Sequence, residues 1–167
     1  MAIPMPGPYQ VSQTIQEVKL AYFAGLFDGE GCIAAYMQKA QTRSGHRYPC
    51  ASLRALVSMT DPRPLREFQK VFGGSLVSKA PKYQRKRVIW EWCLGSAAAG
   101  KFLRAIIPYL IVKKEQAELA LELRERIDAY IYKTNGCYGN TPLTHLEIEA
   151  RRKLVDSIKE LKQRQVA

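Results

Sequence analysis

The sequence predicts an α+β domain in which helices and antiparallel hairpins alternate in the order α-β-β-α-β-β-α, with further helices added at the C-terminal end. Three observations carry that prediction. Two pairs of apolar, alternating segments are each joined by a short polar turn. Helical apolar spacing fills the stretches between and after them. A chain of 167 residues is also the size of one ordinary domain and can bury a core without disulfides or a structural metal. We therefore expect residues 1–11 to form a flexible N-terminus and residues 12–167 to form a single domain.

Taken in order, the first helix is expected from about Ser12 to Asp28, with Ile15, Val18, Tyr22 and Leu26 packing inward. Gly29 and Gly31 then release the chain into a strand at Ile33–Lys39, a turn at Thr42–His46 and a second strand at Tyr48–Met59. Asp61-Pro62 starts a helix through Phe72 that buries Leu65, Phe68 and Phe72, and Gly73-Gly74 stops it. The second hairpin comprises Ser75–Lys79 and Lys86–Leu94, where alternating Val88, Trp90, Trp92 and Leu94 mark one buried face. A helix over Ala97–Ile107 ends at Pro108, another runs from Leu110 to about Tyr130, and a last one spans about Leu143 to Arg164. That last helix turns Leu146, Ile148, Leu154, Ile158 and Leu161 inward.

Lys and Arg outnumber Asp and Glu by 26 to 15, a net charge of +11, which favours a polyanionic partner and puts nucleic acid first. No stretch approaches the roughly 20 apolar residues of a membrane span. Met1 to Pro8 lacks the charged and apolar regions of a signal peptide and reads as an intracellular start, in the cytoplasm or in the organelle whose genome encodes the chain. Cys32, Cys50, Cys93 and Cys137 are scattered, with no CxxC pair and only His46 and His145 beside them, so reduced thiols are expected rather than zinc or disulfides.

The chemistry concentrates near residue 28. The first helix ends in two carboxylates, Asp28 and Glu30, although a helix C-terminus is electrostatically negative and prefers cations. Ala21, Gly25 and Gly29 recur at every fourth position and leave one bare stripe along the helix, where another backbone can approach closely. Each helical glycine costs roughly 1 kcal/mol against alanine, so this helix is built for contact rather than for its own stability.

The nine residues Phe23-Ala24-Gly25-Leu26-Phe27-Asp28-Gly29-Glu30-Gly31 resemble the signature of the LAGLIDADG homing endonucleases, matching its alanine, glycine, leucine, first aspartate and final glycine. Phenylalanine stands at the first and fifth places, Gly29 replaces the second alanine, and Glu30 replaces the second aspartate while keeping a carboxylate. A second match lies at Pro108-Tyr109-Leu110-Ile111-Val112-Lys113-Lys114-Glu115-Gln116-Ala117, which resembles the later segment carrying an active-site lysine. Lys113 fits that role best, with Lys114 as its neighbour.

The resemblance implies a site-specific, double-strand DNA endonuclease. Glu30 would be a metal ligand, with the backbone carbonyl of Gly29 as a second. Mg2+ would be the cofactor, with Mn2+ or Ca2+ able to occupy the same site, and Lys113 would assist the attacking water or the transition-state charge. The family often places a glutamine at the end of the second strand to hold the water network, and Ser58 is the nearest counterpart here. The motif occurs once, and single-motif chains of the family pair as homodimers; Ala21, Gly25, Asp28 and Gly29 would form that interface, which is two-fold symmetric. The products would carry 3′ overhangs, the target would be a long pseudo-palindromic duplex, and the purpose would be intron or intein mobility.

Base reading would fall to the outward residues of the first two strands, Ala34, Tyr36 and Gln38 with Tyr48, Ser52 and Arg54, because a twisted antiparallel sheet fits the major groove. The basic run containing Lys79, Lys82, Arg85, Lys86 and Arg87 would contact phosphates, with Arg151, Arg152 and Lys153 as further cations. Trp90 and Trp92 are read as core. The alternative from another class is a non-cleaving binder of the same fold, either an RNA maturase assisting splicing or a DNA-binding regulator.

Overall fold

The computed structural model describes residues 8–41, 47–80, 87–133 and 143–164. Its elements are α1 (Pro8–Glu30), β1 (Gly31–Gln41), β2 (Arg47–Met59), α2 (Pro62–Phe72), β3 (Ser75–Lys79), β4 (Ile89–Gly95), α3 (Ser96–Ile106), a 3-10 turn (Ile107–Tyr109), α4 (Lys114–Lys133) and α5 (His145–Arg164). The α-β-β-α-β-β-α order with added helices is therefore as the sequence predicts.

Boundaries differ where tertiary contacts override local pattern. Residues 8–11, expected in the flexible N-terminus, form the first turn of α1, and the helix continues through Gly29 to Glu30. The turn into β1 then falls on Gly31, where a Cβ would collide with the backbone oxygen and ring of Phe27. The helix expected from Leu110 begins only at Lys114, since residues 111–113 form a bend. At the start of α2 the Asp61 carboxylate accepts from the Arg63 N–H at 2.9 Å, as an N-cap should, and Gly73 and Gly74 adopt φ of 71° and 90° at its end.

The four strands form one antiparallel sheet in the order β1-β2-β4-β3. Period-2 alternation sorts the two faces. Ile33 and Ala35 of β1, Ala51, Leu53, Ala55 and Val57 of β2, and Trp92 and Leu94 of β4 are buried beneath the helices. The opposite face carries Cys32, Ala34 and Tyr36, then Ser52, Arg54 and Ser58, then Glu91, none of them fully buried.

An aromatic cluster joins α1 to the rest of the core. Phe23 packs on Phe68 at 4.6 Å between ring centroids, Phe68 on Trp92 at 4.8 Å, Phe27 on Phe102 at 5.1 Å, and the Trp92 ring N–H donates to the Gly73 carbonyl at 2.8 Å. Several expected core positions lie elsewhere. Val18 and Tyr22 are 63% and 54% exposed, because α1 turns Phe23, Ala24 and Phe27 inward instead. Helix α1 is apolar on two faces, so spacing alone does not identify the buried one. Leu146 is exposed, Val88 precedes β4 and is exposed, and Trp90 is half-buried, whereas Trp92 is fully buried. Arg151, read as a cation for DNA, is buried, donating to Glu147 at 2.8 Å and to the Arg126 carbonyl at 3.1 Å, so it serves packing between α4 and α5.

Candidate active site and DNA-binding face

The C-terminus of α1 meets the N-terminus of α4 through a reciprocal exchange. The Asp28 carboxylate accepts from the backbone N–H groups of Ile111 at 2.7 Å, Val112 at 3.1 Å and Lys113 at 2.9 Å. The Lys113 carbonyl already accepts the N–H of Ala117 at 2.9 Å, so the helical ladder starts there and Asp28 satisfies donors that α4 cannot. In return the Lys113 ammonium donates to the Asp28 backbone carbonyl, an orphan acceptor in the last turn of α1. The acid that looked misplaced at one helix end is correctly placed at the beginning of another. Its carboxylate, predicted at a dimer interface, is engaged inside its own chain.

Lys113 is only 9% exposed. Burial is the largest influence on its amine and pulls its pKa below the usual 10.5, an effect that Asp28, Cys32 and Glu30 oppose and Lys162 adds to. Glu30 is exposed in the last turn of α1 and accepts no hydrogen bond from any described residue. It lines a shallow cavity of about 300 Å³ with Ser58, Met59, Thr60 and Ile89. Glu30 and Ser58 thus share one recess, while Lys113 reaches the same helix end from the α4 side.

Ser58 does not face Glu30 alone. Its hydroxyl donates to Glu91 at 3.3 Å, and Glu91 also pairs with Lys79 at 2.5 Å, forming a chain across β2, β4 and β3. Glu91 was not singled out from sequence. The signal was present in the β4 alternation, which puts residue 91 on the face opposite Trp92.

On the open face Tyr36 sits opposite Ser52 and Ala34 opposite Arg54. The Arg54 guanidinium lies 5.7 Å from the centre of the Tyr36 ring, so these two long side chains brace one another. Gln38 is exposed. Tyr48 has a register position opposite Ala40, with its side chain outside the described residues, and Lys82, Arg85 and Lys86 lie outside them entirely. Arg87 is described and exposed. Lys162, near the end of α5, was also missed; its ammonium is 2.9 Å from the Cys32 sulfur, on the strand that follows Glu30.

Ala21, Gly25 and Gly29 are all exposed, and a Cβ built on either glycine would meet nothing within 4 Å. Among the described residues none covers this stripe, which Val18 and Tyr22 flank. Beyond its end, Ile111 is 87% and Val112 is 54% exposed. No group of three or more His, Cys, Asp or Glu side chains among the described residues could hold a metal ion. Nor is any helix among them long and apolar enough to cross a membrane.

No protein-family model matches the sequence. The DNA endonuclease I-CvuI of Chlorella vulgaris is 30% identical over 119 residues, a stretch amounting to 66% of this chain and 66% of that protein. The crystal structure of the homing endonuclease I-CvuI with its target in the presence of calcium superposes with a TM-score of 0.55, covering 87% of this chain and 98% of that one. The chain belongs to the LAGLIDADG homing endonuclease family. With that membership comes its class of activity, site-specific cleavage of DNA.

Over the longer structural alignment the identity to I-CvuI falls to 19%, so outside the matched stretch the likeness is one of fold. I-CvuI has also been crystallised with the I-CreI target in the presence of magnesium, with the DNA not cleaved. The archaeal intron-encoded homing endonuclease I-Vdi141I, complexed with DNA, superposes at a TM-score of 0.52 with 13% identity, covering 89% of this chain and 99% of that one. The meganuclease I-SmaMI, bound to uncleavable DNA, superposes at 0.58 with 14% identity, and this LAGLIDADG chain covers 49% of its length.

Two consequences of the Asp28–Lys113 exchange are measurable. Asp28→Ala leaves three N–H groups at the start of α4 without their acceptor and is expected to cost about 2 kcal/mol, read from urea unfolding, with Asp28→Asn costing less because one oxygen acceptor remains. Lys113 should titrate below its ordinary value. Between that lowered pKa and the unfolded value the unfolded chain binds more protons, so this group makes stability rise with pH through the interval. Lys113→Met should remove that rise, seen as a parent unfolding free energy that climbs relative to the variant's as the pH approaches the ordinary lysine value of about 10.5 from below.

Proposed function

We propose that this endonuclease works as a homodimer, with the small-residue faces of two α1 helices against one another and two copies of Glu30 brought together at the two-fold axis. The observation that carries the reading is the uncovered stripe of Ala21, Gly25 and Gly29 running out at an exposed carboxylate. Val18 and Tyr22 along its edge, and Ile111 and Val112 beyond its end, are apolar groups that a second copy would remove from water. The 49% coverage of I-SmaMI supports the same arithmetic, two copies of this chain matching one longer protein.

Two carboxylates facing each other repel unless cations or protons lie between them. One chain offers the Glu30 carboxylate and the Gly29 carbonyl, all oxygen donors, which suit Mg2+ with the remaining positions left to water, phosphate and the partner. The calcium and magnesium present in the I-CvuI crystals support a divalent ion, with Mn2+ a further candidate. When bound, such an ion lowers the barrier to water attack on the phosphodiester and stabilises the departing oxygen.

The chain's own residues do the rest. Glu30 would hold the ion, Lys113 supplies positive charge beside the phosphate, and Ser58, hydrogen-bonded to Glu91, borders the recess with Glu30. Ala34, Tyr36, Gln38, Ser52 and Arg54 read bases from the open face, Tyr48 shares that task, and Lys79, Lys82, Arg85, Lys86 and Arg87 contact the DNA backbone. The cut falls across the minor groove of a long pseudo-palindromic duplex, leaves 3′ overhangs and serves intron or intein mobility.

Incubation with a plasmid library of randomised sites should give linear product with Mg2+ and none after chelation. Glu30→Gln should bind as tightly as the parent yet lose at least about 100-fold in cutting. Binding of the parent without any cleavage would favour the non-cleaving alternative. Gly25→Leu should fold normally, because its side chain enters open space within one chain, but light scattering should then report half the mass of the parent at micromolar concentration.

A further inference from the structure

The C-terminal helix ends close to the reaction centre. Lys162 Nζ lies 2.9 Å from Cys32 Sγ, and Cys32 follows Glu30 by two residues at the start of β1. Helix α5 is not free to swing away from this position. Val155 and Ile158 are buried, and the carbonyl of Ile158, one turn before Lys162, accepts the side-chain amide of Gln116 at 3.0 Å from the 1%-exposed start of α4. Two ammonium groups from separate elements therefore approach the junction of α1 and β1. Lys113 is buried with its ammonium on the Asp28 carbonyl, whereas Lys162 is exposed and has no carboxylate partner among the described residues. Its neighbour Lys159 is tied to Asp156 at 3.2 Å.

We infer that Lys162 is a phosphate-binding residue of the active site, delivered by α5 to the start of β1 beside Cys32, where it holds the DNA strand beside the bond to be cut. A solvated lysine resting on a sulfur atom loses little by exchanging that contact for a phosphate oxygen, which attracts it far more strongly. The position suits the task, since a strand approaching Glu30 from the open face of β1 passes Cys32. The inference rests on the endonuclease reading of the site.

The test compares Lys162→Met, Lys162→Arg and Lys159→Met with the parent on a random-sequence duplex of about 30 base pairs and on a site selected from a randomised library. Lys162→Met should reduce the slope of log affinity against log salt by about one for each protomer bound, while Lys162→Arg restores it and Lys159→Met leaves it unchanged. At saturating DNA the Met variant should cut about tenfold more slowly, because a loosely held phosphate spends less time in line. Circular dichroism should show the same helix content in all three. An unchanged salt slope in Lys162→Met, or an equal loss in Lys159→Met, overturns the inference. If the parent binds but cuts nothing in the library, the endonuclease reading fails instead, and the salt slope alone decides the role of Lys162.

Discussion

The exchange between Asp28 and Lys113 is the constraint on which the reaction end of the molecule depends. Each residue satisfies the helix end belonging to the other: the carboxylate takes three N–H groups ahead of α4, and the ammonium takes a carbonyl at the close of α1. Residues 83 to 85 positions apart in sequence are thereby locked in register. Because Glu30 follows Asp28 by two residues and Lys113 leads directly into α4, fixing this joint fixes the backbone that carries both. A site that needs its groups held to fractions of an ångström benefits from a joint made of backbone bonds, which admit few alternative geometries.

Helix α1 then serves two surfaces at once. Phe23, Ala24 and Phe27 knit it into the aromatic cluster, and Ala21, Gly25 and Gly29 leave the other side flat. The aromatic side is what makes the flat side affordable, since deep burial of large rings offsets the helix propensity lost at two glycines. The joint at Asp28 sits where these two faces end, so core packing, the uncovered small-residue face and the acidic group at the tip are set by one rigid rod.

The order of elements was legible from periodicity and turn residues, and Asp61, Gly73 and Gly74 marked the limits of α2 correctly. The open face of β1 and β2 was legible too, because a period of two leaves no freedom once Leu53, Ala55 and Val57 are assigned inward. Three things were not. The inward side of α1 was misjudged at Val18 and Tyr22 since both sides are apolar. The late start of α4 was hidden because Asp28, far away in sequence, holds residues 111–113 in a bend. Glu91 and Lys162 were missed because their significance comes from register across strands and from the docking of α5, neither of which local composition records. The resemblance implies the roles of Glu30, Lys113 and Ser58; the fold puts Glu30 and Ser58 in one recess and the Lys113 ammonium on the carbonyl of Asp28.

The open sheet face has a consequence for how such a protein can change. Tyr36, Ser52 and Arg54 are supported by the strand backbone beneath them and by one another, while the side chains that hold the fold together point the other way. Replacing them should alter stability by only about 0.5 kcal/mol either way, the usual range for surface positions away from caps and cores. Whatever these side chains contact can therefore change without jeopardising folding. Innovation at the surface is insulated from the interior by the simple alternation of a β-strand.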